Sequence, residues 1–435
     1  MANDVSPIPP VRDPYSALRQ SNFRFYLSAW TLAVLGQQIQ SVALQWDLYR
    51  KTGDPMVLGW VGLLQAIPVI SLAIPAGQLA DRFDRRRVLI VSLSGSMLSS
   101  LGLVFAYLAD APIWVYYLLL FFNAVANAIG WPARSAILPQ LVPVDKLPNA
   151  MTWNASFFQL AAITGPAIGG FIIAKSLAVA YCCDVLAAMW MVFCLATIHI
   201  RPQQKAKEPV SIQSLLAGVR FVFDQKIILA TISLDLFGVL LGGAAYLLPM
   251  VATDILHVGS AGFGFLRAAP AVGAICMGLL ITHLPPFKRA GRAMLYAVAG
   301  FGMATVLFGF SRNYWLSLAA LFFAGMADNI SVVVRHTLVQ VLTPDEMRGR
   351  VSAVNNVFIG ASNELGGFES GLTAKLFGPV ISIVGGGIGT VLVVLGINGL
   401  FPQVRRFGSL LDAKTIAAPN AAPNAGKSTP ATTRN

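Results

Sequence analysis

Asp328, Ser331 and Arg335 stand at i, i+3 and i+7, which puts three polar side chains on one helix face inside an otherwise apolar run. Asn127 and Arg134 recur 201 residues earlier at matching positions, with Asn123 one turn before them. Gln38, Ser41 and Gln45 form a second polar stripe at the same spacing. Asp235 and Glu364 are acids set in apolar surroundings, and Glu369 lies about 140° around the helix from Glu364, so these two cannot share a direction. A carboxylate held away from water is costly as a bare charge, so it either takes up a proton or pairs with a cation. Asp328, Glu364 and Asp235 are therefore candidates for reversible proton uptake. The structural alternative is a fixed Asp328–Arg335 pair that ties helices together.

Other chemistries find little footing. The four histidines, at 199, 257, 283 and 336, form no His–Asp or nucleophile constellation, so no enzymatic activity is expected. Cys182, Cys183, Cys194 and Cys276 lie in apolar runs without metal-ligand spacing. Gly426-Lys427-Ser428 ends like a phosphate-binding loop, but the first glycine of that loop would fall at Ala421, so no nucleotide site is assigned. No cofactor is expected, and a pump driven by nucleotide hydrolysis is disfavoured.

The elements that must carry these residues follow from composition. The 435-residue chain is 56% hydrophobic and only 11% charged, against about 25% charged in soluble domains. Apolar runs at 23–49, 56–80, 88–109, 113–138, 149–175, 177–199, 227–253, 260–283, 293–311, 315–342, 351–375 and 379–402 are each long enough to cross a bilayer as helix. The fold expected is an all-α membrane protein of twelve spans. The net charge of +12 sits in the connections. Arg82, Arg85, Arg86 and Arg87, the 200–226 segment, Lys288, Arg289, Arg292, Arg348 and Arg350 share one side with both termini. By the positive-inside rule that side is cytoplasmic, in an inner-membrane protein. The basic balance is explained by topology and not by nucleic acid.

Five segments are expected: an N-terminal cytoplasmic stretch (1–22), a six-helix half (23–199), a linker (200–226), a second half (227–402) and a disordered tail (403–435). Within the linker, Ile212, Leu215, Leu216, Val219 and Phe223 recur at helical spacing and predict an amphipathic surface helix. The two halves are repeats. Arg134 matches Arg335, Asn154 matches Asn355 and Gly165 matches Gly366 at an offset of 201; Gly62 matches Gly264 and Pro68 matches Pro270 at 202. Six plus six in parallel is the plan of carriers whose halves rock about a central site.

Gly77-Gln78-Leu79-Ala80-Asp81-Arg82-Phe83-Asp84-Arg85-Arg86-Arg87 resembles the signature loop of the major facilitator superfamily, with Asp84 where many members have glycine. The resemblance implies a cytoplasmic latch at Gly77, Asp81, Arg82, Arg85 and Arg86 that breaks during the transport cycle. Gly165-Pro166-Ala167-Ile168-Gly169-Gly170 resembles the motif of the antiporter branch, with Ala161 in place of its usual first glycine. Small residues there allow close helix packing in any case. The opening (Ala17-Leu18-Arg19 to Phe23-Arg24), Pro132-Ala133-Arg134 and Gly218-Val219-Arg220 are similar to the enterobactin-exporter and macrolide-efflux subgroup. The resemblance implies that the first, fourth, seventh and tenth spans line a cavity, and a monomeric proton-coupled exporter of a small amphipathic molecule. Alternatives are a nutrient importer on the same fold, or a membrane-embedded enzyme, which the absence of a catalytic cluster disfavours. A channel gives no reason for a latch or a two-half repeat.

Overall fold

The computed structural model describes residues 13–198, 212–285 and 287–408, and within them it is helical, with no strand. In chain order the helices are α1 (Ser21–Thr52), α2 (Pro55–Ser71), α3 (Ala73–Arg82), α4 (Arg85–Leu108), α5 (Ile113–Leu141), α6 (Leu147–Lys175) and α7 (Leu177–Thr197). Then come α8 (Ile212–Asp224), α9 (Lys226–Leu241), the single turn α10 (Leu248–Met250), α11 (Ser260–His283), α12 (Ala290–Phe310) and α13 (Tyr314–Leu342). The chain closes with α14 (Asp345–Phe377), α15 (Pro379–Leu400) and α16 (Pro402–Arg406). Among the described residues nine helical stretches are long and apolar enough to cross a bilayer, and the bent pair α2–α3 makes up to ten. α1 and α14 are longer still, at 32 and 33 residues, but richer in polar side chains. With them the molecule has the twelve long helical segments expected, ten of which meet the test of length and apolarity.

Two segments expected to be continuous are broken, one beside a proline and one at a glycine pair. The 56–80 span bends by 51° between α2 and α3. Pro75 has no N–H to give the Ser71 carbonyl, and its ring crowds that carbonyl. The 227–253 span stops at Leu241, passes through Gly242 and Gly243 into a 3-10 turn at Ala244–Leu247, then α10, and ends in a π-turn at Val251–Ile255. Pro249 cannot donate to the carbonyl of Ala245, and Arg267 Nη1 from α11 fills that vacancy at 3.0 Å. The broken strip packs tightly on α14. A Cβ added to Gly243 would lie 2.9 Å from the Gly366 carbonyl oxygen, and one added to Gly367 would lie 2.6 Å from the Tyr246 ring.

Within the first half α1 packs on α6 and α7, and α4 packs on α5 and α7. The second half repeats this, with α9 on α14 and α15, and α12 on α13 and α15. The halves meet through α2 against α14 and α6 against α11. At the end of the molecule that holds Asp81, each half has its own core. Phe23, Leu89, Ile137 and Leu195 belong to one, and Leu234, Met294, Leu338 and Val404 to the other. At the opposite end, near Asp54, one core spans both halves and joins Ile39, Trp46 and Ile173 to Leu247, Phe263 and Phe308.

The edges differ in detail from expectation. α8 lies on α14 through Gly218, whose Cβ would meet the Arg350 backbone at 3.0 Å, and through buried Val222. Leu216 and Phe223, of the apolar face expected for a surface helix, are exposed. The bare backbone at Gly218 decides which side approaches. Residues 402–408, at the start of the expected tail, are packed: Val404 is fully buried, and the Ala290 N–H donates to the Gly408 carbonyl at 3.1 Å. The linker through 211 and the tail beyond 408, including Ala421 and Gly426-Lys427-Ser428, lie outside the described residues, as do Ile212 and Leu215 in their side chains.

Candidate functional site

The polar face of α13 meets α9. Arg335 Nη1 lies 2.7 Å from Asp235 Oδ2, and both side chains are buried, at 3% and 6% exposure. The partner of Arg335 is thus Asp235 and not the Asp328 of its own helix. An i, i+7 pair is about 10 Å apart along the helix axis, whereas the Asp235 carboxylate arrives from the neighbouring helix at the right height. Asp328, Ser331 and Asp235 line one small cavity with Leu234, Val298 and Phe301, between α9, α12 and α13. Two acids thus share a cavity, and one of them is paired with Arg335.

The matching face of α5 is built differently. The Arg134 guanidinium lies 4.5 Å from the Trp30 ring centre and 5.5 Å from that of Trp131. This is a cation held by aromatic faces instead of by an acid. At the 201-residue offset the counterpart of Asp235 is Val34, which is buried in the first half's own core. Asn127 Nδ2 donates to Asn123 Oδ1 at 2.7 Å, and Asn123 Nδ2 donates to Ser96 Oγ of α4 at 3.0 Å. The two asparagines therefore bond toward α4.

On α1 the expected stripe divides. Gln45 is buried and donates to Ser41 Oγ at 3.4 Å. Gln38 is half-buried, and α6 comes so near that a Cβ on Gly165 would be 2.5 Å from Gln38 Cβ. Glu364 on α14 accepts the hydroxyl of Tyr246 from the broken strip after α9. Arg267 stands in the electrostatic reach of both. Glu369 is a separate, half-buried group with a 3.5 Å contact to Ser370 Oγ.

The small-residue motif of α6 is a seam between halves. A Cβ on Gly170 would come within 2.5 Å of the Ser260 carbonyl oxygen, and one on Gly264 within 2.5 Å of the Pro166 carbonyl oxygen. Gly169 takes the backbone of Ile39. The repeat supplies the second seam, where Gly62 meets the Glu364 carbonyl at 2.5 Å and Gly371 meets Gly59 Cα at 2.6 Å by the same measure. Trp46 stacks on Phe263 at 5.5 Å, Tyr49 donates to Asp254, and Lys375 pairs with Asp54 at 2.6 Å, all across the halves at this end. Burial works against the Asp54 charge, but Lys375 and the Met56 N–H outweigh it and hold its carboxyl below the ordinary range.

At the Asp81 end, Asp81 pairs with Arg85 of the same loop at 3.9 Å. Arg86 donates to the Leu195 and Ala196 carbonyls at 2.7 and 2.6 Å, which caps the last turn of α7. Asp84, where the superfamily pattern has glycine, accepts from the Arg87 N–H at 3.0 Å and is the N-cap of α4. Arg82 is exposed, and Gly77 lies within α3.

Sequence reasoning passed over several buried charges inside the spans, Asp47 of α1 among them, and two bear on the interior. Arg267 is one; Pro249, four residues beyond the carbonyl it serves, was the available signal. Asp184 on α7 is the other. It is buried and accepts from Ser100 Oγ of α4 at 2.7 Å. It sits directly after Cys182-Cys183, in a run that otherwise reads as filler.

The family model described as Transmembrane secretion effector matches residues 12–421. Proteins named Enterobactin exporter EntS from Citrobacter koseri and Shigella boydii are 25% identical over 390 residues, covering 88% of this chain and 93% of theirs. Among solved structures, a bacterial homolog of the human lysosomal transporter Spinster, inward-facing and occupied, aligns with a TM-score of 0.70 at 14% identity over 91% of this chain and 99% of that one. A D-xylose–proton symporter aligns at 0.69 and 13%, over 90% of this chain and 100% of its own. A bacterial homologue of the iron transporter ferroportin, also inward-facing, aligns at 0.67 and 16%, over 90% and 99%. These likenesses establish the major facilitator fold. Two repeated halves, glycine seams between them, a buried ion pair beside a small cavity of the second half and a match over nearly the whole sequence lead to one conclusion: this chain is a multi-pass membrane transporter of the transmembrane secretion effector family, within the major facilitator superfamily.

Proposed function

We propose that the protein exports a small amphipathic molecule, siderophore-like or drug-like, from the cytoplasm in exchange for protons, working as a monomer in the inner membrane with both termini cytoplasmic. The carrying observation is the buried Arg335–Asp235 pair with Asp328 in the same cavity. Removing two charges from water is costly and is offset only while they stay paired. A proton taken up by Asp235 breaks the pairing with Arg335. That break moves α9 against α13 and links proton uptake to the rocking of the halves.

Gln38, Gln45, Asn123, Asn127, Arg134 and Glu364 supply the polar lining or a second coupling group. Asp81, Arg82, Arg85 and Arg86 with Gly77 act as the latch that joins the halves when the Asp54 end opens. The described conformation, joined at the Asp54 end, is then the one open to the cytoplasm. Export is favoured over import by the relatives named as exporters and by the glycine seam of α6, which allows the α6–α11 contact to close and part without side chains to reorder.

The experiment is efflux from proteoliposomes, with candidate siderophores and amphipathic drugs, with and without an imposed pH gradient. Asp235→Asn and Asp328→Asn are expected to abolish the gradient's effect, and Glu364→Gln to weaken it. Unchanged coupling in all three variants would sink the reading, and so would gradient-driven accumulation in the import direction.

A further inference from the structure

The interior of the first half holds an acid that the Arg335 site does not use. Asp184 lies on α7 at 7% exposure, facing α1 and α4. Ser100 Oγ is 2.7 Å from Asp184 Oδ2 and 3.3 Å from Gln40 Oε1. Gln40 is itself 93% buried (7% exposed), and its Nε2 has no partner among the described residues. Asn123 Nδ2 reaches the same Ser100 Oγ at 3.5 Å and links it onward to Asn127.

Proton counting decides what this cluster can be. A serine hydroxyl carries one hydrogen, so Ser100 cannot donate to both Asp184 and Gln40. If Asp184 is the acid, its O–H donates to Ser100, Ser100 donates to Gln40 Oε1, and each oxygen on the chain is satisfied. If Asp184 is ionised, Ser100 turns to donate to it. Gln40 Oε1 then loses its donor, and the amide must flip so that Nε2, now idle, donates to Ser100. An amide's O and N are interchangeable in shape, so the flip needs no new space. The chain from Asp184 through Ser100 to Gln40 therefore has one hydrogen-bond order for each protonation state, and the orphaned Nε2 is the donor that the second order requires.

We propose that Asp184, Ser100 and Gln40 form a proton-binding site inside the first half, separate from the Arg335 site and independent of it. Among the described residues no side-chain cation pairs with the Asp184 carboxylate. Along α1 the charged groups are Arg24 in its first turn and Asp47, Arg50 and Lys51 near its end; Asp47 accepts from Tyr181 Oη at 3.1 Å and Lys51 pairs with Asp110 at 3.1 Å. On α7 itself Tyr181 and Cys183 flank the site, α4 presents Tyr107 nearer its end, and α6 has Lys175 at its last turn. A bare carboxylate in such a setting is costly, while the acid form is fully bonded.

The test is difference infrared spectroscopy of the full-length protein in lipid, titrated from acidic to alkaline pH. The wild type is expected to lose a carboxylic-acid carbonyl band as pH rises. Asp184→Asn should delete that component, Asp184→Glu should retain it at a shifted frequency, and Ser100→Ala or Gln40→Leu should displace its midpoint by a pH unit or more. The component must also persist in Asp235→Asn, which separates this site from the transport reading. An unchanged titration in Asp184→Asn, or midpoints unmoved in both Ser100→Ala and Gln40→Leu, would overturn the proposal. If Asp184→Asn does not fold, Asp184→Glu with the two neighbour variants decides it by the same criteria.

Discussion

Arg134 and Arg335 occupy the same place in the repeat, on α5 and α13, and the two halves treat them differently. Arg335 is tied to Asp235 at 2.7 Å in a cavity that also holds Asp328. Arg134 lies on Trp30 and Trp131, its asparagine neighbours bond to α4, and Val34 stands where the other half has Asp235. The scaffold is symmetric and the chemistry is not. Duplication preserves the positions from which side chains reach the interior, while each half fills them for its own purpose. A buried ion pair resides in one half, and a cation set on aromatic faces resides in the other.

The largest test of that contrast is removal of the acid. Asp235→Ala combined with Asp328→Asn strands a buried guanidinium and is expected to cost about 3–5 kcal/mol of unfolding free energy. Trp30→Leu beneath Arg134 should cost the cation–π share, about 0.5–2 kcal/mol, beyond the lost packing. Unfolding in mixed micelles measures both, and equal losses would break the comparison.

Next in size are the seams. Gly264→Val and Gly62→Val place side chains against carbonyls at contacts of 2.5 Å. Each should weaken the joined end by about 1–3 kcal/mol. In a cysteine-free background, labelling of a cysteine introduced by Ala261→Cys should speed up several-fold in either variant. Gly385→Ala, where a Cβ meets nothing within 4 Å, should leave the rate unchanged.

The smallest effect belongs to the exposed bridge between halves. Lys375→Ala should cost no more than about 1 kcal/mol. The Asp54 carboxyl is held below its ordinary range, so this contribution is present above the unfolded value and is lost as pH falls through the lowered one. The gap in melting temperature between wild type and Lys375→Ala should close on acidification.

Most of the architecture was legible because lipid leaves the backbone little choice, and because a repeat doubles each signal. Gly165, Pro166, Gly169 and Gly170 read as close packing, and close packing is what they make. What the linear sequence hid were the relations between helices. Periodicity placed Asp328 and Arg335 on one face but could not bring Asp235 from α9 to Arg335. Asp184 looked like an interruption in filler because its partners, Ser100 and Gln40, lie 84 and 144 positions away. The break at Leu72 had Pro75 as its signal and that at Gly242 the Gly242-Gly243 pair, yet apolarity alone read straight through them.

The seams carry one further meaning. Gly170 of α6 meets Gly264 of α11, and at the repeat offset Gly371 of α14 meets the Gly59–Gly62 strip of α2. Contact in which i touches j while the copy of j touches the copy of i is the reciprocity of a two-fold homodimer. The interface of this single chain thus has the form of a two-fold contact between two like subunits, carried within one polypeptide.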